Sequence, residues 1–168
     1  MALSEEQRQW LTLALVPGVG SAAFVKLLAR FRTAGNVLQA SLESLREVVG
    51  DNLARRILEY RDAAEVQKQE RAMEKYHVTL VTLEDPVYPL RLAEIYDPPL
   101  LLFLRGELRE EDQRCVAIVG TRKPTPYGVR IAEQFARELA VRGITIVSGM
   151  ATGIDGAAHR GALEAGGR

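Results

Sequence analysis

The sequence predicts an α/β fold: a small all-α domain followed by an open, incomplete parallel sheet. Three observations point to it. The first ~76 residues place apolar side chains at helical spacing. Four short apolar runs follow. The last two each lead into a glycine turn and then a helical pattern, the signature of parallel strands joined by crossover helices.

In the first part, Ser4 with Gln7 three residues on reads as a capping box. Trp10, Leu11, Ala14 and Leu15 fall on one face of the helix that follows. Val16-Pro17-Gly18-Val19-Gly20 breaks it, and Phe24, Val25, Leu27 and Leu28 form the stripe of a second. Ser41 and Asp51 are candidate caps of a third and a fourth helix. The fourth is expected to run from Asn52 towards Tyr76 with one charged, solvated face. LALVPGVGS is similar to a helix-hairpin-helix turn, in which glycines let backbone approach a DNA phosphate. Few cations flank it, Lys26 and Arg30 being nearest, which favours a plain αα-connection.

The pattern changes after Tyr76, where the domain boundary is expected: 1–76 helical, 77–168 sheet-forming. Val78 to Thr82, Leu100 to Leu104, Cys115 to Val119 and Ile144 to Val147 are the expected strands of a four-stranded sheet. Pro86, Pro89, Pro98 and Pro99 punctuate the stretch between the first two. After the third, Gly120 allows a turn, Thr125 can cap the next helix, and Pro126 suits its first position. Ile131, Ala132, Phe135, Ala136 and Leu139 are its expected inner stripe, and Gly143 its stop. Gly166-Gly167 ends the last helix where a fifth strand is expected, so the sequence reads as a fragment of a longer protein.

Composition excludes several classes. Hydrophobic residues make up 47% of the chain, enough for a core. No apolar run approaches the ~18 residues of a membrane span. Met1 opens no basic-then-apolar leader, and a single cysteine, Cys115, excludes an intrachain disulfide; a cytoplasmic location is expected. Cys115 itself reads as a small apolar residue entering a strand. Net charge is zero, but residues 113–168 carry 8 Lys/Arg against 4 Asp/Glu, whereas residues 1–112 carry 14 against 18. The glycine-turn segment is the basic part, which suits contact with a polyanion.

The chemistry concentrates at two turns. Arg122 and Lys123 follow Gly120 and Thr121 at the carboxyl end of a strand, the edge where open sheets bind ligands. Backbone N–H groups of such turns can face an anion, and a guanidinium matches a phosphate with two parallel hydrogen bonds. The bland alternative is a solvated loop with two charges. Tyr127 could stack on a base, with packing against the sheet the default expectation. The second turn runs Ser148-Gly149-Met150-Ala151-Thr152-Gly153. Asp155 and His159 follow it four residues apart on one helix face. Such a pair can serve acid–base chemistry or bind a metal. With no third ligand and no nucleophile elbow, the expected role is structural: Asp155 accepts free N–H groups near the helix start, and His159 hydrogen-bonds it. No metal, cofactor or catalytic residue is expected.

Taken together, VAIVGTRKPTPYG followed by VSGMATGIDGAAHRGALEAGG resembles the DNA-processing protein A (DprA/Smf) family. VTLEDPVYPLRLAEIYDPPLLLFLRG resembles its extended Rossmann-like domain, and the region around LALVPGVG its SAM-like or helix-hairpin-helix-like module. The resemblance implies an incomplete Rossmann-like domain and a cytoplasmic, non-enzymatic protein that binds single-stranded DNA. It implies protection of incoming strands in natural transformation, help in loading a RecA-type recombinase, and a homodimer in the full-length protein. Arg122 is the residue implied to contact phosphate, with Gly120, Thr121, Ser148 and Gly149 lining the same pocket and Lys123 beside it. Two other readings stay open: a nucleotide-processing enzyme of the lysine-decarboxylase-like phosphoribohydrolase type, whose PGGxGT-type loop is not found here, and a protein-interaction module built on the helical part.

Overall fold

The computed structural model describes residues 3–60 and 63–168, the side chain of residue 63 excepted. The chain divides into two compact units, Met1–Glu107 and Leu108–Arg168. The change of sequence pattern at Tyr76 and this division of contacts are different boundaries: the first two strands pack with the helices that precede them.

In the first unit, α1 (Glu5–Leu15) begins with the expected capping box, Ser4 accepting from the Gln7 N–H and Gln7 returning the bond to the Ser4 N–H. Its buried side chains are Trp10, Leu11 and Leu13, and Trp10 stacks on Phe24 of α2 (Ser21–Phe31) with ring centroids 4.7 Å apart. The turn between them is an αα-connection in which Gly18 takes φ +92°; a Cβ there would lie 2.6 Å from the Arg56 guanidinium. Val25, expected in the apolar stripe, is 50% exposed, because the face turned to the core carries Phe24, Leu27, Leu28 and Phe31.

Three helices follow: α3 (Ala34–Gln39), α4 (Leu42–Val49) and α5 (Asp51–Glu59). Ser41 caps α4 as expected. Asp51 does not cap α5: Gly50, at φ +78°, holds the cap position, and the Asp51 carboxylate instead pairs with Arg55 at 2.9 Å and with Arg46. The single helix expected from Asn52 to Tyr76 stops at Glu59, where Tyr60 turns extended and packs on the core; its residues 61 and 62 lie outside the described residues. A separate helix, α6 (Ala63–Tyr76), buries Val66 and Met73 against Leu11 and Leu80.

Strand β1 (Val78–Thr82) pairs antiparallel with β2 (Leu101–Arg105), Leu80 opposite Phe103. This corrects the expectation of one four-stranded sheet. The proline-rich link holds only one short helix, α7 (Leu90–Ala93), and folds back on itself: the Asp85 carboxylate accepts from the Thr82 N–H, and the Tyr88 hydroxyl donates to the Pro99 carbonyl at 2.7 Å. The two strand ends are thereby brought side by side, and Leu83 N–H extends the ladder to Leu100.

The second unit carries the parallel pair. Strand β3 (Cys115–Ala117), opened by half-buried Cys115, lies beside β4 (Thr145–Val147), with Val116 opposite Ile146. Helix α8 (Pro126–Val141) connects them, and α9 (Ile154–Glu164) follows β4. The two helices pack through a seam of small residues, Ala132, Ala136 and Ala140 against Ala158, Gly161 and Ala162. A Cβ on Gly161 would lie 2.2 Å from the Glu133 carbonyl oxygen, so glycine sets how closely the backbones approach. Phe135, expected in the buried stripe, is 57% exposed: the face turned inward is the alanine seam one residue away.

A 3₁₀ turn (Glu110–Gln113) precedes β3, and its Asp112 is the fastening point of the unit. The carboxylate accepts from Arg168 at 2.8 and 2.7 Å, from the Thr145 hydroxyl at 2.9 Å and from the Arg109 N–H at 2.8 Å. These bonds, Arg168 foremost, hold its pKa well below the usual carboxylate range despite partial burial. No helix among the described residues is long and apolar enough to cross a membrane.

Candidate nucleic-acid interface

The two glycine turns expected from the sequence leave the carboxyl ends of adjacent parallel strands. The turn after β3 runs into α8 through Thr125, whose hydroxyl accepts from the Gly128 N–H at 3.1 Å, with Pro126 at the first helical position. The turn after β4 runs into α9 through Gly153, which takes φ +94°.

Asp155 joins them. It is 6% exposed, and its two carboxylate oxygens accept from different loops: Oδ1 from the Gly120 N–H at 3.3 Å, Oδ2 from the Gly149 N–H at 3.1 Å. The expected structural role is realised across loops rather than along its own helix. These two N–H groups were expected to face an anion, and the protein supplies that anion itself. His159 does not share in the clasp: its Nε2 is buried with no hydrogen-bond partner among the described residues.

The backbones are pressed together around this point. Ile154 N–H donates to the Thr121 carbonyl at 3.2 Å. A Cβ on Gly153 would lie 2.3 Å from that same oxygen and 2.8 Å from Arg122 Cα; one on Gly120 would lie 2.8 Å from the Ile154 side chain. Thr121 Oγ1 accepts from the Lys123 N–H at 3.1 Å, and Ser148 Oγ donates to the Ile118 carbonyl at 2.6 Å. Four of the six expected site residues, Gly120, Thr121, Ser148 and Gly149, are therefore parts of one fixed scaffold.

Arg122 and Lys123 project from that scaffold. Both are exposed, and among the described residues neither side chain has a hydrogen-bond or ion-pair partner. Three other cations of the same unit are neutralised, Arg137 by Glu164, Arg160 by Glu133 at 2.8 Å and Arg168 by Asp112 at 2.7 Å, while Arg142 donates only to the Glu138 carbonyl. Arg130, one turn into α8, is likewise exposed and unpaired.

Sequence reasoning missed three features here. Tyr127 is 66% exposed rather than packed against the sheet. Met150 is 83% exposed and takes φ +54°, uncommon for a residue with a side chain. Arg130 joins the unpaired cations although Glu133 lies three residues on, because that carboxylate is taken by Arg160, 27 residues away. Among the described residues no three His, Cys, Asp or Glu side chains group as a metal site.

A parallel pair whose strands each end in a glycine turn and a helix, with the two turns locked together, defines a Rossmann-like α/β module that follows a mainly helical unit in the sequence. Residues 79–168 match the family model for DNA recombination-mediator protein A, and the chain belongs to that family. It is similar over 171 aligned residues to Protein Smf of Synechocystis sp., with 33% identity, covering 98% of this chain and 43% of that protein. DNA processing protein DprA of Bacillus subtilis is 39% identical over 92 residues, 54% of this chain and 31% of its own length. The X-ray structure of DNA processing protein A from Streptococcus pneumoniae superposes with a TM-score of 0.72 at 28% identity, covering all of this chain and 56% of that one. The chain thus spans less than half the length of these curated relatives.

Proposed function

We propose that this chain is the helical domain (1–76) and the first part of the Rossmann-like domain (77–168) of a cytoplasmic protein that binds single-stranded DNA without catalysing a reaction on it. Arg122 and Lys123 contact the sugar-phosphate strand. Gly120, Thr121, Ser148 and Gly149 form the frame that holds them at the sheet edge. The full-length protein protects incoming strands during natural transformation, helps load a RecA-type recombinase and acts as a homodimer.

One observation carries this reading: the cations at the first glycine turn lack acidic partners, whereas Arg137 and Arg160, on the helices that follow the two turns, are paired with Glu164 and Glu133. A guanidinium left unneutralised beside a rigid turn gains most from a multivalent anion. The family match and the relatives' printed name, DNA processing protein, supply the class of anion.

The test is fluorescence anisotropy with a labelled single-stranded oligonucleotide and with the same sequence as duplex. Affinity for the single strand that weakens steeply as salt rises supports the reading. No binding at ~50 mM salt, or equal binding of both forms, contradicts it.

A further inference from the structure

We propose that Tyr127 is a base-stacking platform that makes this edge prefer unpaired strands, with Arg130 as a phosphate contact on the same helix face. The inference rests on the DNA-binding reading above and names what that reading lacks, an element that touches bases.

Tyr127 is the second residue of α8, and its backbone is held on both sides. Pro126 fixes the preceding φ, and Gly128 N–H is bonded to Thr125. A Cβ on Gly128 would touch Ile154 at 3.5 Å, and Ile154 also presses on Gly120, so the first turn of α8 is docked against the glycine turn that carries Arg122. At ~100° per residue, Tyr127 lies nearly opposite the buried Ala132–Ala136–Ala140 seam. Arg130, three residues on, shares its face.

Nothing in the fold needs this ring. Tyr88 shows how the same residue type serves structure: it is 4% exposed and its hydroxyl is bonded to Pro99. Tyr127 has 66% of its surface in solvent and no polar partner among the described residues. Exposure alone would not single it out, since Tyr96 is fully exposed. But Tyr96 stands beside Glu94 and Asp97, which would repel a phosphate strand. Along the chain Tyr127 follows unpaired Arg122 and Lys123 and precedes unpaired Arg130, with no acidic residue between them. A rigid ring flanked by cations is the arrangement that grips single strands: phosphates pair with the cations while a base lies on the π face. In a duplex the bases are stacked on each other and the ring has nothing to cover.

The experiment uses the full chain with labelled single-stranded oligonucleotides, one normal and one with abasic sites. Tyr127→Ala is expected to weaken binding of the normal strand roughly 5- to 150-fold, the range for one stacked base. Tyr127→Trp should keep it, and the slope of affinity against salt should not change. On the abasic strand Tyr127→Ala and the parent should bind alike. Thermal melts of both variants check that the fold is kept. Tyr127→Ala binding as well as the parent overturns the proposal while leaving the DNA-binding reading intact, as does an equal loss on both strands. Failure of the parent chain to bind either strand overturns that reading and this inference with it.

Discussion

Asp155 and Gly149 are joined by a 3.1 Å hydrogen bond from the glycine N–H, while the other oxygen of the same carboxylate holds the Gly120 N–H. One buried side chain thus ties together loops that leave different strands. A side chain with two accepting oxygens suits two N–H donors at once. Asp155→Asn presents an NH₂ to one of the two N–H donors. A buried donor left unpaired costs about 1–3 kcal/mol. Urea unfolding of the variant should show a loss of that size, and hydrogen exchange at Gly120 or Gly149 should accelerate. Unchanged stability and exchange would mean that the loops are held by something else.

Gly161 allows a test in which two effects oppose. Exchanging a helical glycine for alanine ordinarily stabilises by about 1 kcal/mol. Here the added methyl would stand 2.2 Å from the Glu133 carbonyl oxygen, on the backbone of the neighbouring helix. Backbone cannot yield as a side-chain tip can, so the clash should win. Gly161→Ala is expected to lower the melting temperature, and Gly143→Ala, which meets no atom within 4 Å but sits at φ +70°, to lower it less. A rise in melting temperature for Gly161→Ala would show that α8 and α9 are not packed this closely.

Asp112 gives the second unit an acid-sensitive fastening. Its pKa is lowered in the folded chain, chiefly by Arg168. A depressed folded pKa contributes stability above the unfolded value of about 3.9, and that contribution is lost as pH falls below it towards the folded value. Stability measured from pH 6 downwards should therefore fall more steeply below about pH 4 in the parent than in Asp112→Asn. Asp112→Asn should already be less stable at pH 6. Parallel acid limbs in the two proteins would contradict the assignment.

Much of this architecture was legible in the chain because it is local. Ser4 with Gln7, and Thr125 with Pro126, announce helix starts through hydrogen bonds spanning three residues, and both caps are present. Val78–Thr82 is a strand over the span its β-branched run suggested. What stayed hidden depends on partners distant in sequence. Counting apolar residues placed Phe135 inside, but the α8–α9 seam is built from alanines opposite Gly161, and only the close approach of the helices explains why the larger ring is left out. The reversal between β1 and β2 rests on Tyr88 reaching Pro99, which no periodicity reveals. The short α3, capped by Thr33, has too few residues to show a period. At the site, the glycines, Arg122 and Lys123 were readable from their order. That Asp155 would occupy the N–H groups of both turns was not, because the Gly120 partner lies 35 residues away.

Arg122 is an unneutralised cation beside the clasped turns, and the salt dependence of binding tests its role most directly. Anisotropy titrations of a single-stranded oligonucleotide at several salt concentrations should give a linear fall of log affinity with log salt. For Arg122→Ala the slope should shrink by ~0.7, one phosphate contact on a single strand, with affinity lower at ~50 mM salt and the melting temperature unchanged. An Arg122→Ala chain with the same slope and affinity as the parent would contradict the claim that this guanidinium grips the strand.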